Sequence, residues 1–383
     1  MTPGPPLGFR ASGVTAGLKA SGRPDLALVV NDGPLQAAAG VFTGNRVQAA
    51  PVVWSRQAVA DGRLDAVVLN SGGANACTGP AGFLDTHRTA EHVARVLGVA
   101  AGDVAVCSTG LIGERLPMDA LLAGVDGAAA ALSPTGGDAA ADAILTTDTR
   151  RKTVLVERDG WSVAGMAKGA GMLAPGLATM LVVLTTDAVA EAAALDRALR
   201  AASAVTFDRI DSDGCMSTND TVLLLASGAS GVRPDDTELA GAVRDACASL
   251  ARDLVSDAEG ADHDIAIEVV NAASEQDAVE VGRSVARSNL FKAAVYGKDP
   301  NWGRVLAAVG TTQAAFDPLL LDVSINGVQV CRAGGAGDDR SGVDLSGREV
   351  RVLVDLHAGE AAATIWTNDL THAYVHENSA YST

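Results

Sequence analysis

The chain has 383 residues, of which 48% are hydrophobic and 20% charged, and carries a formal net charge of −17 at pH 7. That length accommodates one large or two ordinary domains, and the balance is that of a globular chain. The acidic excess argues against a nucleic-acid or anionic-membrane surface, since both need a basic footprint.

Short apolar runs alternate with Ala-rich helical patterns along the chain. "LALVVNDG" (26–33) reads as a strand ending in a turn, and "AAAGVFTGN" (37–45) as its antiparallel return. "LDAVVLNSGGANACTG" (64–79) is a buried strand opening into a Gly-rich loop, and 80–99 an amphipathic helix. A strand at 103–110 ends in the polar tip "STG" and leads into a mostly helical stretch, 111–132. Residues 138–152 read as a helix ending in a Thr-rich turn. After the Gly- and Pro-rich "KGAGMLAPGLATMLVVLTTDA" (168–188), a helix is expected over 189–207 and a polar loop followed by a strand over 211–228. A long amphipathic helix covers 236–257, a strand 263–271, and a Ser-capped helix 274–295. Two hairpins close the pattern: 321–331, with a type I′ Asn-Gly turn, and 349–369, with period-two alternation. The stretch 333–342 reads as a surface loop between them. Hairpins and helices together predict an α/β (α+β) fold of mixed sheets covered by helices.

The five cysteines are an odd set without a Cys-x-x-Cys, and read as free thiols in a reducing compartment. "MTPGPPLGF" has neither the basic nor the apolar region of a signal peptide. No apolar stretch approaches the ~20 residues that span a bilayer, so a cytoplasmic protein with no membrane association is expected. Among site motifs, "AVYGKDP" is not a phosphate-binding loop, and no Gly-x-Ser-x-Gly occurs. Asp211-x-Asp213-Gly214 reads as a polar turn rather than a calcium loop. His372 and His376 have the spacing of a zinc helix, but the C-terminus does not read as strongly helical, and no metal is expected.

Thr179 stands between a turn-rich loop and an apolar strand. A Thr hydroxyl is a poor nucleophile without a base, and no Ser-His-Asp spacing offers one. An N-terminal Thr has one in its own α-amino group, whose reference pKa is ~7.7–8.0. That requires a cut between Ala178 and Thr179, where "APGLA" supplies small, turn-forming residues. Spacing alone leaves two readings open: a loop entering a buried strand, and a self-cleaving nucleophile.

The segment 168–188 resembles the signature of the ornithine acetyltransferase family, the bifunctional glutamate N-acetyltransferases of arginine biosynthesis. "GFRASGVTAGLK" (8–19), "NSGGANACTG" (70–79), "CSTGLIGERLPM" (107–118), "LTTDTRRK" (145–152), "STNDTVLLLASG" (217–228), "DAEGADH" (257–263), "GKDPNWGR" (297–304) and "ENSAYST" (377–383) resemble further family segments in the family's order. The resemblance implies a fold similar to the N-terminal-nucleophile class. It also implies self-cleavage into an α chain (1–178) and a β chain (179–383), held together as an α2β2 tetramer.

By the same resemblance, Thr179 is the nucleophile and Thr109 and Gly110 are the oxyanion-hole pair. Lys168 and Thr147 contact substrate, Glu259 meets the amino groups of ornithine, and Asn378 and Thr383 form a C-terminal clamp. The implied reaction is ping-pong: Thr179 takes acetyl from N2-acetylornithine, ornithine leaves, and glutamate accepts the acetyl group. No metal or organic cofactor is expected, although acetyl-CoA serves some relatives as a co-substrate. Three alternatives share these residues: an amidase or aminopeptidase with water as acceptor, a paralogue with an altered acceptor range, and a non-catalytic binder of acetylated amino acids.

Overall fold

The computed structural model describes residues 6–174 and 180–380. In chain order the strands are β1 (Phe9–Val14), β2 (Leu26–Asn31), β3 (Ala37–Phe42), β4 (Ala66–Ser71), β5 (Val104–Thr109), β6 (Lys152–Arg158), β7 (Trp161–Lys168), β8 (Leu181–Thr186) and β9 (Thr221–Ala226). They continue with β10 (Asp264–Ala272), β11 (Asp322–Ile325), β12 (Val328–Arg332), β13 (Gly335–Ala336), β14 (Glu349–Asp355) and β15 (Ala361–Asn368). The helices are α1 (Ala50–Ala58), α2 (Gly79–Leu97), α3 (Met118–Ala130), α4 (Gly137–Ala143), α5 (Ala192–Val205), α6 (Asp236–Ser256), α7 (Glu275–Ala286), α8 (Asn289–Tyr296), α9 (Trp302–Val309) and α10 (His372–Ala380).

Three mixed sheets result, in the orders β1-β2-β4-β5, β3-β9-β8-β7-β6 and β13-β12-β11-β14-β10-β15. The first two pack face to face. Their shared core holds Val29, Val67, Leu69 and Cys107 from one sheet and Met166, Leu181, Val183, Leu223 and Leu225 from the other. Helices α2 and α3 cover the outer face of the first sheet, and α5 and α6 that of the second. This layering explains why the strands at the centre read as unbroken apolar runs. Every residue of β2, β4, β5, β8 and β9 is buried, because each strand has a sheet on one face and helices on the other. The third sheet packs one face on α7–α9, and "EVRVLVD" in β14 alternates as a half-covered strand should.

Several elements differ from expectation, each for a local or a tertiary reason. β3 does not return along β2. It crosses to the second sheet and pairs antiparallel with β9, while the Asn31 amide bonds the Leu35 and Ala226 carbonyls and fixes the crossing. Residues 349–369 are not a hairpin: β10 lies between β14 and β15, parallel to the first and antiparallel to the second. The 321–331 hairpin is as expected, with Asn326 and Gly327 both at positive φ. The helix expected over 274–295 is two helices, because Ser288 starts a new one by accepting the Phe291 N–H. The helix expected over 138–152 stops at Ala143, and Lys152 already belongs to β6. The β6–β7 hairpin turns at Asp159-Gly160, and the C-terminal residues form α10, contrary to the reading of that end. No helix among the described residues is long and apolar enough to cross a membrane.

Helix α6 opens with a complete capping box. The Asp235 carboxylate accepts the Glu238 N–H at 2.8 Å, and the Glu238 carboxylate accepts the Asp235 N–H at 3.2 Å. Asp235→Ala should lower stability by about 1 kcal/mol, read as a shifted urea midpoint at unchanged m-value.

Candidate active site

The loop 169–174 is pinned at successive backbone groups. The Gly169 N–H donates to Asp148 Oδ1 at 2.7 Å, the Ala170 carbonyl accepts the Glu259 N–H at 3.0 Å, and the Leu173 N–H donates to Asp213 Oδ2 at 3.1 Å. A side chain at Gly171 would collide with the Glu259 carboxylate, 2.6 Å from an added Cβ. The chain is described again from Met180, whose N–H donates to Asp220 Oδ1 at 3.1 Å. Ala178 and Thr179 lie outside the described residues, as does Thr383.

Four sequence-identified residues lie along the end of β7 and the loop that follows it. Lys168, at the end of β7, pairs in register with Leu181 at the start of β8. It is no solvated loop charge: it is 2% exposed, with its ammonium 3.9 Å from Asp148 Oδ2. Burial pushes that ammonium below its ordinary pKa and Lys152 adds to the lowering, while Asp148, Glu259 and Asp220 pull it back. Glu259 is a half-buried acid that accepts from the Thr147 hydroxyl at 2.7 Å and from the Asn378 amide at 3.0 Å. Thr147, Glu259 and Asn378 therefore form one cluster from three distant parts of the chain, with Lys168 close enough to feel its charge.

Thr109 and Gly110 approach from the first sheet. The Thr109 carbonyl accepts the Gly73 N–H at 3.0 Å. Gly110 has φ +124°, and an added Cβ would stand 2.8 Å from the Gly73 nitrogen, so this position needs glycine. The side-chain amide of Asn219 donates to the carbonyls of Ala74 (2.6 Å) and Ser108 (2.8 Å). Consecutive residues thus hold both partners: Asn219 the end of β5, and Asp220 the residue after Thr179.

Behind the site lies an ionic network that the sequence reading missed. Lys152 is fully buried between Asp148 Oδ1 and Asp257 Oδ2, each at 2.6 Å. Burial alone would raise the Asp148 carboxyl, yet Lys168, Lys152 and the Gly169 N–H hold it well below the usual carboxylate range. The i,i+4 spacing of Asp148 and Lys152 was the one local signal. On the other side of the cluster, Tyr374 packs over Gly260, and burial together with Asp213, Glu259 and Cys215 pushes its phenol up to about 12. Asp211 pairs with Arg287, and Asp213 accepts the Leu173 and Cys215 backbone N–H groups. His372 packs its ring against Tyr296, both α10 histidines are exposed, and all five cysteines are free.

Buried strand ends, a glycine-dependent turn and an acid–amide cluster thus stand beside the chain on either side of residues 175–179. The family model described as ArgJ family matches residues 10–383. An arginine biosynthesis bifunctional protein ArgJ of Streptomyces coelicolor is 68% identical over 375 residues, 98% of either chain. The protein of the same name from Mycobacterium leprae is 60% identical over 385 aligned residues, covering 98% of this chain and 95% of that one. A solved Mycobacterium tuberculosis ornithine acetyltransferase, complexed with ornithine, is 58% identical with a TM-score of 0.45, over 47% of this chain and 98% of that one. The chain belongs to the ArgJ family, and it is an acetyltransferase of arginine biosynthesis.

Proposed function

We propose that the protein is the glutamate N-acetyltransferase of the pathway, taking acetyl from N2-acetylornithine through an ester on Thr179. The convergence of Lys168, Thr109-Gly110 and the Thr147–Glu259–Asn378 cluster on the residues flanking Thr179 carries this reading. The chain cuts itself between Ala178 and Thr179, giving an α chain, 1–178, and a β chain, 179–383, which stay together as α2β2. The freed α-amino group then serves Thr179 as base.

The Thr179 oxygen attacks the acetyl carbonyl, and the Thr109–Gly110 turn stabilises the developing oxyanion. Ornithine leaves with the proton, and glutamate attacks the acetyl ester to give N-acetylglutamate. Glu259 is the group for the cationic end of ornithine, and Thr383 joins Asn378 in closing over it. No metal or organic cofactor enters the reaction, and the cytoplasm is the compartment that fits free thiols. Incubation with N2-acetylornithine and glutamate tests the reading: N-acetylglutamate should form in step with ornithine. Acetate release without N-acetylglutamate would mean a hydrolase, and binding without turnover a carrier of acetylated amino acids.

The Glu259 carboxylate is the one charge in the Thr147–Glu259–Asn378 cluster, so Glu259→Gln should separate binding from chemistry. Loss of one charge-assisted contact corresponds to a rise of about 10–100-fold in KM for N2-acetylornithine, with self-cleavage intact. An unchanged KM would remove Glu259 from the substrate site.

A further inference from the structure

The two half-reactions bring opposite charges into one site. Ornithine carries an ammonium at the end of its side chain, and glutamate a carboxylate. The described charges around Thr147 suit the first. Lys152 and Lys168 stand against Asp148, Asp257 and Glu259, an acidic excess that attracts an ammonium and opposes a carboxylate. Lys19 is a further cation beside this cluster. Its Nζ donates to the carbonyl of Pro24 at 3.0 Å and to that of Leu145, two residues before Thr147, at 2.5 Å. No carboxylate of a described residue lies within ion-pair distance of it, and the third ammonium hydrogen has no partner among the described residues. Its backbone is fixed, since the Asp25 carboxylate accepts the N–H groups of Ala16 and Leu18 at 2.6 Å and of Lys19 at 3.0 Å. Leu18 lies against Gly72, where an added Cβ would stand 2.8 Å from the Leu18 carbonyl oxygen, and the next residue, Gly73, bonds Thr109. Lys19 thus spans from the loop beside Thr109 to the turn that carries Thr147. Burial lowers its ammonium to about 8; Arg23 and Lys168 add to the lowering, Asp25 and Asp148 oppose it, and the group stays charged at neutral pH.

Resting on the reading of Thr147, Lys168 and Glu259 as substrate contacts, we propose that Lys19 is the specificity residue for the acceptor, its remaining N–H donating to the side-chain carboxylate of glutamate. Lys168 is left for the α-carboxylate, which both substrates carry. Ornithine turns its ammonium to Glu259 and makes no use of Lys19. The Asp25-held loop keeps the Lys19 backbone in place before glutamate arrives, so the contact costs little ordering. One site can then take a cationic side chain in the first half of the reaction and an anionic one in the second.

The test measures kcat/KM for N2-acetylornithine and for glutamate on the same sample, for the wild type, Lys19→Met and Lys19→Gln. In a ping-pong scheme each value reports its own half-reaction. Lys19→Met keeps the apolar stem and removes the charge. It should lower kcat/KM for glutamate, relative to that for N2-acetylornithine, by about 10–100-fold, the share of one charge-assisted contact. A smaller folded fraction lowers both values together and leaves their ratio alone. An unchanged ratio would overturn the assignment: with both values retained Lys19 touches neither substrate, and with both lost equally it serves the fold or the shared α-carboxylate. A wild type that makes no N-acetylglutamate would instead overturn the reading of the site on which the assignment rests. Lys19→Gln keeps a donor for the Pro24 and Leu145 carbonyls and covers the case in which Lys19→Met does not fold. Its ratio should fall in the same way, and an unchanged one would overturn the assignment equally.

Discussion

Thr179→Ala should leave a single chain of 383 residues in an intact-mass spectrum and abolish acetyl transfer, while the wild type gives two fragments meeting at Ala178–Thr179. The substitution removes one hydroxyl and one methyl group at the mouth of β8, so its effect on folding should be small. Its chemical effect should be complete, because an alanine has no oxygen to attack either the Ala178 carbonyl or an acetyl group. Loss of a covalent nucleophile is expected to cost on the order of 10⁶-fold in kcat. Thr179→Ser tests the same point from the other side: it keeps the oxygen and should keep both fragments and measurable transfer. Full activity in the Thr179→Ala chain would sink the nucleophile reading outright.

The second large effect is on stability. Lys152 is fully buried between the Asp148 and Asp257 carboxylates, at 2.6 Å from each. Lys152→Met keeps the volume and the apolar stem but removes the cation the two carboxylates share, leaving Asp148 only the more distant Lys168. Breaking a buried pair by removing one partner costs about 3–5 kcal/mol, a large share of the stability of an ordinary domain. The network also fixes a sign for pH. Asp148 is held below its ordinary range in the folded state, so the stability it contributes is complete above its unfolded pKa of ~3.9. That contribution is lost as the pH falls further, through the folded value. Acid melting of the wild type should therefore be steep below about pH 4, and shallower in Lys152→Met, where one of the groups depressing Asp148 is gone. The same network touches the site, since Asp148 also faces Lys168 and holds Gly169. Lys152→Met should reduce turnover even in the fraction that stays folded. A variant as stable and as active as the wild type would show that the three charges act independently.

Much of this protein is written locally. Runs such as "AVVLNS" and "LVVLTT" have no polar alternation, and they prove to be strands buried on both faces. The Asn-Gly turn at 326–327 and the Asp and Ser caps of α6 and α7 act through backbone groups two or three residues away, so their effect is fixed by neighbours in sequence. The family is legible for a similar reason: its segments recur as ordered short strings, and Thr109, Gly110, Thr147, Lys168, Glu259 and Asn378 each sit in one.

Tertiary structure decided the rest. A run of apolar residues records that a strand is buried, not which strand lies beside it. The sequence therefore carried no sign that β3 pairs with β9, or that β10 separates β14 from β15. Thr147, Glu259 and Asn378 come together across more than a hundred residues, as do Lys152 and Asp257. Such pairs leave no periodic trace, because the interaction depends on distance in space while sequence patterns report only spacing along the chain. Asp220 shows the same limit. "STNDT" reads as a polar loop before a strand, and only the packing of β3, β8 and β9 buries that carboxylate against the residue next to Thr179. The sequence determined which elements form and which family they belong to. Packing decided which charges lose their water, and with it which groups carry altered proton affinity at the site.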